Sequence, residues 1–167
     1  MVAMVEPLLD ELMEEAPATR KLLERVPGDK LDWRPHAKSR SIGELASHIA
    51  GAVGMAAIIA NPDTFAPNLA TLRDPVGSVE EIRAKFDENL RKSEDALKGM
   101  GEEQAAGTWG LVFGGKEIFR KPRMKALRAN VLNHLYHHRG QLSVYLRLLE
   151  VSVPPVYGPT ADENPFL

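Results

Sequence analysis

A chain of 167 residues can form one domain with a real core, since a globular chain of this size buries roughly 70% of the surface its unfolded form exposes. A formal net charge of -2, with 26% charged and 44% hydrophobic residues, excludes general electrostatic binding to nucleic acid. Cysteine is absent, which excludes a disulfide framework, a protein thiol nucleophile and a thiolate metal ligand; a bound metal would rely on imidazole, carboxylate or water.

The first segment, Met1 to Glu15, carries five acidic residues and no basic run, so no secretory signal is expected and the protein is expected in the cytoplasm. Helical periodicity runs from about Val5 to Arg25 through Leu8, Leu12, Leu22 and Leu23, with Val26 just beyond. Pro17 should kink that helix or split it. Pro27-Gly28 ends it. Ser41-Ile42-Gly43-Glu44 has capping-box spacing and opens a second helix, whose apolar stripe is Ile42, Leu45, Ile49, Ala52, Ala56 and Ile59. Asn61-Pro62 ends the second helix. The uncharged stretch Ile49 to Ala60 is twelve residues, short of the ~20 that span a membrane, so it reads as core. Its Gly51 and Gly54 suit close approach to a neighbouring helix or a second subunit.

A Pro- and Asn-containing loop from Asn61 to Gly77 is long enough to be a crossover. Ser78-Val79-Glu80-Glu81 repeats the capping box and opens a third helix through about Lys98, closed by Gly99. Between Gly107 and Phe119 the pattern around Gly114-Gly115 reads as a small hairpin or an ordered loop. A fourth helix follows Pro122 and runs to about Glu150. The expected class is all-α, in a single domain spanning 1–167.

Three of the five histidines can meet on this framework. His134 and His138 are four residues apart and share one helix face, and His48 sits at the edge of the second helix's stripe. A lone imidazole on an apolar face is more commonly a hydrogen-bonded core residue. On the last helix, however, Leu127, Val131, His134, His138, Gln141, Tyr145 and Leu149 recur at spacings of three and four, so both imidazoles face inward and need partners. Gln141 and Tyr145 are the candidate polar neighbours, as supporting or pocket residues. Three neutral imidazoles can hold a divalent cation and leave a coordination position open, the arrangement of catalytic rather than structural sites. Zinc, nickel, iron and copper all suit imidazole, so the metal's identity stays open. His36 and His137 fall off this face and read as exposed and unliganded.

Several chemistries are excluded by spacing. Leu45, Val131 and His134 stand three residues before His48, His134 and His137, so no Glu-x-x-His pair for a di-iron bundle exists at any of them. Leu135 occupies the position of the zincin glutamate. Neither a phosphate-binding glycine loop nor a Gly-x-Ser-x-Gly elbow is present. The basic run Arg120, Lys121, Arg123, Lys125 and Arg128 opposes the dipole of the helix that it precedes, a placement that would suit an anionic ligand, but it reads first as a solvated face.

Leu31-Asp32-Trp33-Arg34-Pro35, then Ser39 to Leu45 with His48, then His134 to Gln141, then Val153-Pro154-Pro155-Val156-Tyr157-Gly158 together resemble the DinB-like (damage-inducible) proteins over nearly the whole chain. The resemblance implies a four-helix bundle of up-down-down-up type, usually dimeric, with a divalent metal on His48, His134 and His138. It also implies small-molecule chemistry with low-molecular-weight thiols, in a family that includes a maleylpyruvate isomerase branch. The expected function is therefore a metal-dependent, thiol-dependent S-transferase, or a related hydrolase or isomerase, acting on a small electrophile. A noncatalytic metal- or ligand-binding stress-response bundle is the alternative. A homodimer with no membrane or nucleic-acid partner is expected.

Overall fold

A computed structural model describes residues 2–68 and 76–166. The first helix, α1 (Glu6–Glu24), runs unbroken through Pro17. That proline is exposed, so its missing donor falls on the solvent side, and the chain does not split there. Both capping boxes form: Ser41 and Glu44 close the start of α2 (Ile42–Ala52), and Ser78 and Glu81 close the start of α4 (Val79–Lys98).

The second helix does not continue to Asn61 as its periodicity suggests. It breaks at Val53-Gly54 and resumes as α3 (Met55–Ala60). Two side chains of α4 take up carbonyls at the break: Asn89 Nδ2 donates to Ala50 O at 2.9 Å and Ser93 Oγ to Val53 O at 2.8 Å. Gly54 permits this approach, because a Cβ there would stand 3.0 Å from the Asn89 side chain. The close contact expected of Gly54 is thus made within the chain.

The chain is not purely α-helical. After the short α5 (Glu102–Ala106), strands β2 (Thr108–Phe113) and β3 (Lys116–Pro122) form the antiparallel hairpin that the sequence left open. Gly114 and Gly115 turn it with φ of 58° and 78°, a requirement that glycine meets without strain. The crossover supplies β1 (Thr64–Phe65), which pairs parallel with β2 and makes a sheet of three strands; residues 69–75 of that loop lie outside the described residues. Periodicity cannot reveal a two-residue strand.

The basic run before the last helix is largely spent on internal contacts. Arg123, 1% exposed, donates to the carbonyls of Gln104, Ile59, Pro62 and Thr108 and to Asp63 Oδ1, tying α3, α5 and the sheet together. Arg120 pairs with Glu117 and Arg128 with Glu11.

The last helix is three pieces rather than one: α6 (Arg123–Leu127), a π-helical segment (Arg128–Asn133) and α7 (His134–Leu148). Glu150, at φ 57°, turns the chain out of α7. The four long helices pack pairwise, α2 against α4 and α7, and α1 against the same two. Leu12, Leu22, Leu45, Ile49, Phe86, Leu97, Leu135 and Leu142 fill the space between them. Ile42–Ala60, at 19 residues and a mean hydropathy of 1.6, is long and apolar enough on composition to cross a membrane. It is broken in the middle, and 61% of its apolar window is buried against the other helices, as a core helix would be.

Candidate metal centre

The capping box fixes where α2 begins and therefore which face carries His48. Ile42, Leu45, Ala46 and Ile49 are fully buried, and His48 is left half-buried at the margin of that stripe, toward α7. The π-helical segment ends where the first of the other two histidines begins. Widening the helix by one residue per turn is a device found mostly at functional sites, and here it sets the rotation with which α7 presents His134 and His138 to α2.

Arg139 holds that rotation from the other side. It is 2% exposed, and its guanidinium pairs with Glu15 of α1 at 2.6 Å and donates to Thr19 Oγ1, Glu15 O and the Tyr157 hydroxyl. The rings of Tyr136 and Tyr157 flank it, with centroids 5.3 and 5.0 Å from its central carbon. One residue along a helix is a rotation of about 100°, so the side chain that grips α1 leaves its neighbour His138 facing α2.

The three imidazoles converge through Nε2. His48 Nε2 lies 3.1 Å from both His134 Nε2 and His138 Nε2, and the latter two are 2.7 Å apart. His138 Nδ1 faces Gln141 Oε1 at 2.7 Å. An amide oxygen at Nδ1 requires a proton there, which leaves the His138 Nε2 as a bare acceptor. A cation at the usual metal–imidazole distance would separate tetrahedral nitrogen ligands by about 3.3 Å, close to what the trio already has. The residues present therefore fit a single divalent ion.

Electrostatics favour the neutral rings that such an ion needs. Burial pushes His138 down to about 4, with the His134 and His48 rings adding to the effect and the Gln141 bond opposing it. Burial likewise lowers His134, followed by the charge of His48.

The other expected residues fall where they do for separate reasons. Gln141 lies against His138, its Oε1 2.7 Å from Nδ1. Tyr145 stands two turns beyond His138 and makes an edge-to-face pair with Trp33, centroids 5.7 Å apart. His36 is exposed and accepts from Lys38 N, and exposed His137 only abuts the ring of His138, at 4.8 Å. The π-helical segment had no signal in the sequence, because a π-helical turn leaves no pattern in side-chain types.

Comparison with known proteins places the chain, rather than the site, in a wider set. A family model described as the DinB superfamily matches residues 11–142. The chain is 27% identical over 150 residues to the Bacillus subtilis (strain 168) protein named Uncharacterized protein YrdA, covering 89% of this chain and 85% of that one. Crystal structures of DinB-like proteins share the fold. The one from Bacillus cereus ATCC 10987 superposes with a TM-score of 0.69 at 20% identity, covering 91% of this chain and 97% of the other. One from Bacillus subtilis gives 0.68 at 20% identity, covering 90% and 96%. At such identities the likeness speaks for fold and leaves chemistry to the site.

Proposed function

The chain belongs to the DinB superfamily, and from that premise we propose that it is a metal-dependent enzyme of small-molecule chemistry, most specifically a thiol-dependent S-transferase. The observation that carries the reading is the convergence of three Nε2 atoms, one of them fixed as an acceptor by the Gln141 bond at the opposite ring edge. His48, His134 and His138 would hold the ion, which is one ligand fewer than a closed structural site takes. When bound, a divalent cation supplies Lewis acidity that moves a coordinated water or thiol toward its anion at neutral pH. Gln141 keeps the His138 ring in the ligating tautomer, and Arg139 keeps α7 turned toward α2. The chain has no cysteine, so a sulfur nucleophile must arrive with a second substrate.

The long helices and their pairwise packing support a four-helix bundle of the DinB-like type as one domain, with the sheet as an appendage. Assembly as a cytoplasmic homodimer belongs to the same reading. With Gly54 already against Asn89, its support shifts to Val144 and Leu148, exposed one turn apart on α7. Light scattering that returned the mass of one 18.4 kDa chain would overturn the dimer.

The functional test is elemental analysis of protein purified without a histidine tag, followed by turnover assays pairing thiols with electrophiles. Turnover should need both metal and added thiol, and vanish in His48→Ala. Equal hydrolysis without thiol would refute the transferase while leaving the metal centre standing.

A further inference from the structure

Beyond α7 the chain is tied back to two helices. Asp162 pairs with Arg147 of α7 at 2.5 Å and accepts from Val153 N at 2.9 Å, Thr160 Oγ1 donates to Val153 O at 2.7 Å, and Glu163 pairs at 2.5 Å with Arg25, at the end of α1. Tyr157 stands within this strap. It is 74% exposed, so burial gives it little reason to hold one position, yet its hydroxyl enters a buried ion pair. The oxygen accepts from Arg139 Nη2 and its proton goes to Glu15 Oε2 at 3.0 Å, while those two atoms are 2.6 Å apart, so the three groups close a ring of hydrogen bonds. The aromatic ring lies over the guanidinium, with its centroid 5.0 Å from the central carbon.

The other arm of Arg139 is held less closely: Nη1 reaches Glu15 O at 3.2 Å and Thr19 Oγ1 at 3.4 Å. The direction of the guanidinium therefore rests on Nη2, where Tyr157 and Glu15 meet. That direction matters at His138, the neighbour of Arg139 on α7. A helix carries its side-chain tips at roughly 5–6 Å from the axis, so a rotation of about 10° moves such a tip by about 1 Å. Metal–ligand distances are held to within about 0.2 Å. A slack grip on α1 is thus large enough to be felt at the histidine nitrogens carried by the same helix.

We propose that Tyr157 is a positioning residue for the three-histidine centre: its hydroxyl and ring fix the Arg139 guanidinium, and through it the rotation of α7 that sets His134 and His138 against His48. The proposal rests on the metal reading of that centre. Its test is metal affinity, measured apart from stability. The full chain without a tag is titrated with Co2+ and followed by its visible absorption, and urea midpoints are recorded on the metal-free protein. Tyr157→Phe, which keeps the ring and removes the hydroxyl, should bind Co2+ about fivefold more weakly, below the roughly 10–100-fold typical of a residue bonded directly to a ligand. Tyr157→Ala should lose more. In the Arg139→Met background, Tyr157→Phe should cost no further affinity, because the group it acts on is gone. Co2+ affinity unchanged in both Tyr157 variants, with only the urea midpoint lowered, would confine Tyr157 to stability and overturn the proposal, and so would additive losses in the double variant. Should Arg139→Met fail to fold, the comparison of affinity with urea midpoint in the Tyr157 variants decides alone. A wild type that binds no Co2+ would instead sink the metal reading, and this proposal with it.

Discussion

His138 Nδ1 and Gln141 Oε1 are 2.7 Å apart, one turn along α7, and that contact decides which nitrogen of the ring is free to ligate. Replacing Gln141 with Leu removes the acceptor and releases both the tautomer and the ring orientation. Divalent-metal affinity should fall about tenfold, measured by competition with a chromogenic chelator at neutral pH. Unchanged affinity would reduce Gln141 to an amide at the core edge.

One ion per chain is expected in protein purified without a tag, on the convergence of His48, His134 and His138. His138→Ala leaves two imidazoles on different helices. Mass spectrometry of the metal content should then show stoichiometric occupancy lost at neutral pH, and full occupancy in the variant would rule the ligand set out.

The metal-free protein should lose stability as pH falls from the ordinary imidazole value of 6.5 toward about 4. Burial holds His138 near 4 in the fold, so through that window the unfolded chain binds a proton that the folded chain refuses, and the unfolded state gains. His134, lowered in the same direction by burial, should steepen the loss. Denaturant midpoints between pH 7 and 5 test this; a flat profile, or one no shallower in His138→Ala, would contradict it. The same shift keeps His138 neutral, and so able to ligate, well below the pH at which an exposed histidine would be protonated.

Arg139→Met should destabilise the fold by about 3 kcal/mol, because it leaves Glu15, 17% exposed, without its cation between α1 and α7. Urea unfolding measures the loss directly. A cost under about 1 kcal/mol would mean that packing of the helices, and not the ion pair, sets the rotation of α7.

Much of this molecule was legible from the order of its residues. Ser41 with Glu44 and Ser78 with Glu81 mark two helix starts, because a cap is a contact between residues three apart and needs nothing from the rest of the chain. His134, His138 and Gln141 share a face for the same local reason. Tertiary contacts decided the remainder. The break at Val53-Gly54 depends on Asn89 and Ser93, nearly forty residues away in sequence, taking two helix carbonyls. The pairing of Thr64 and Phe65 with β2 depends on what the crossover meets when it returns. The π-helical segment just before His134 is a backbone state that many side-chain sequences tolerate and packing selects. The sequence determined that three histidines could lie on inward helix margins. Only the packing of α2 on α7 brought their nitrogens within 3.1 Å, since that distance depends on the rotation and separation of two helices held by residues far from the site.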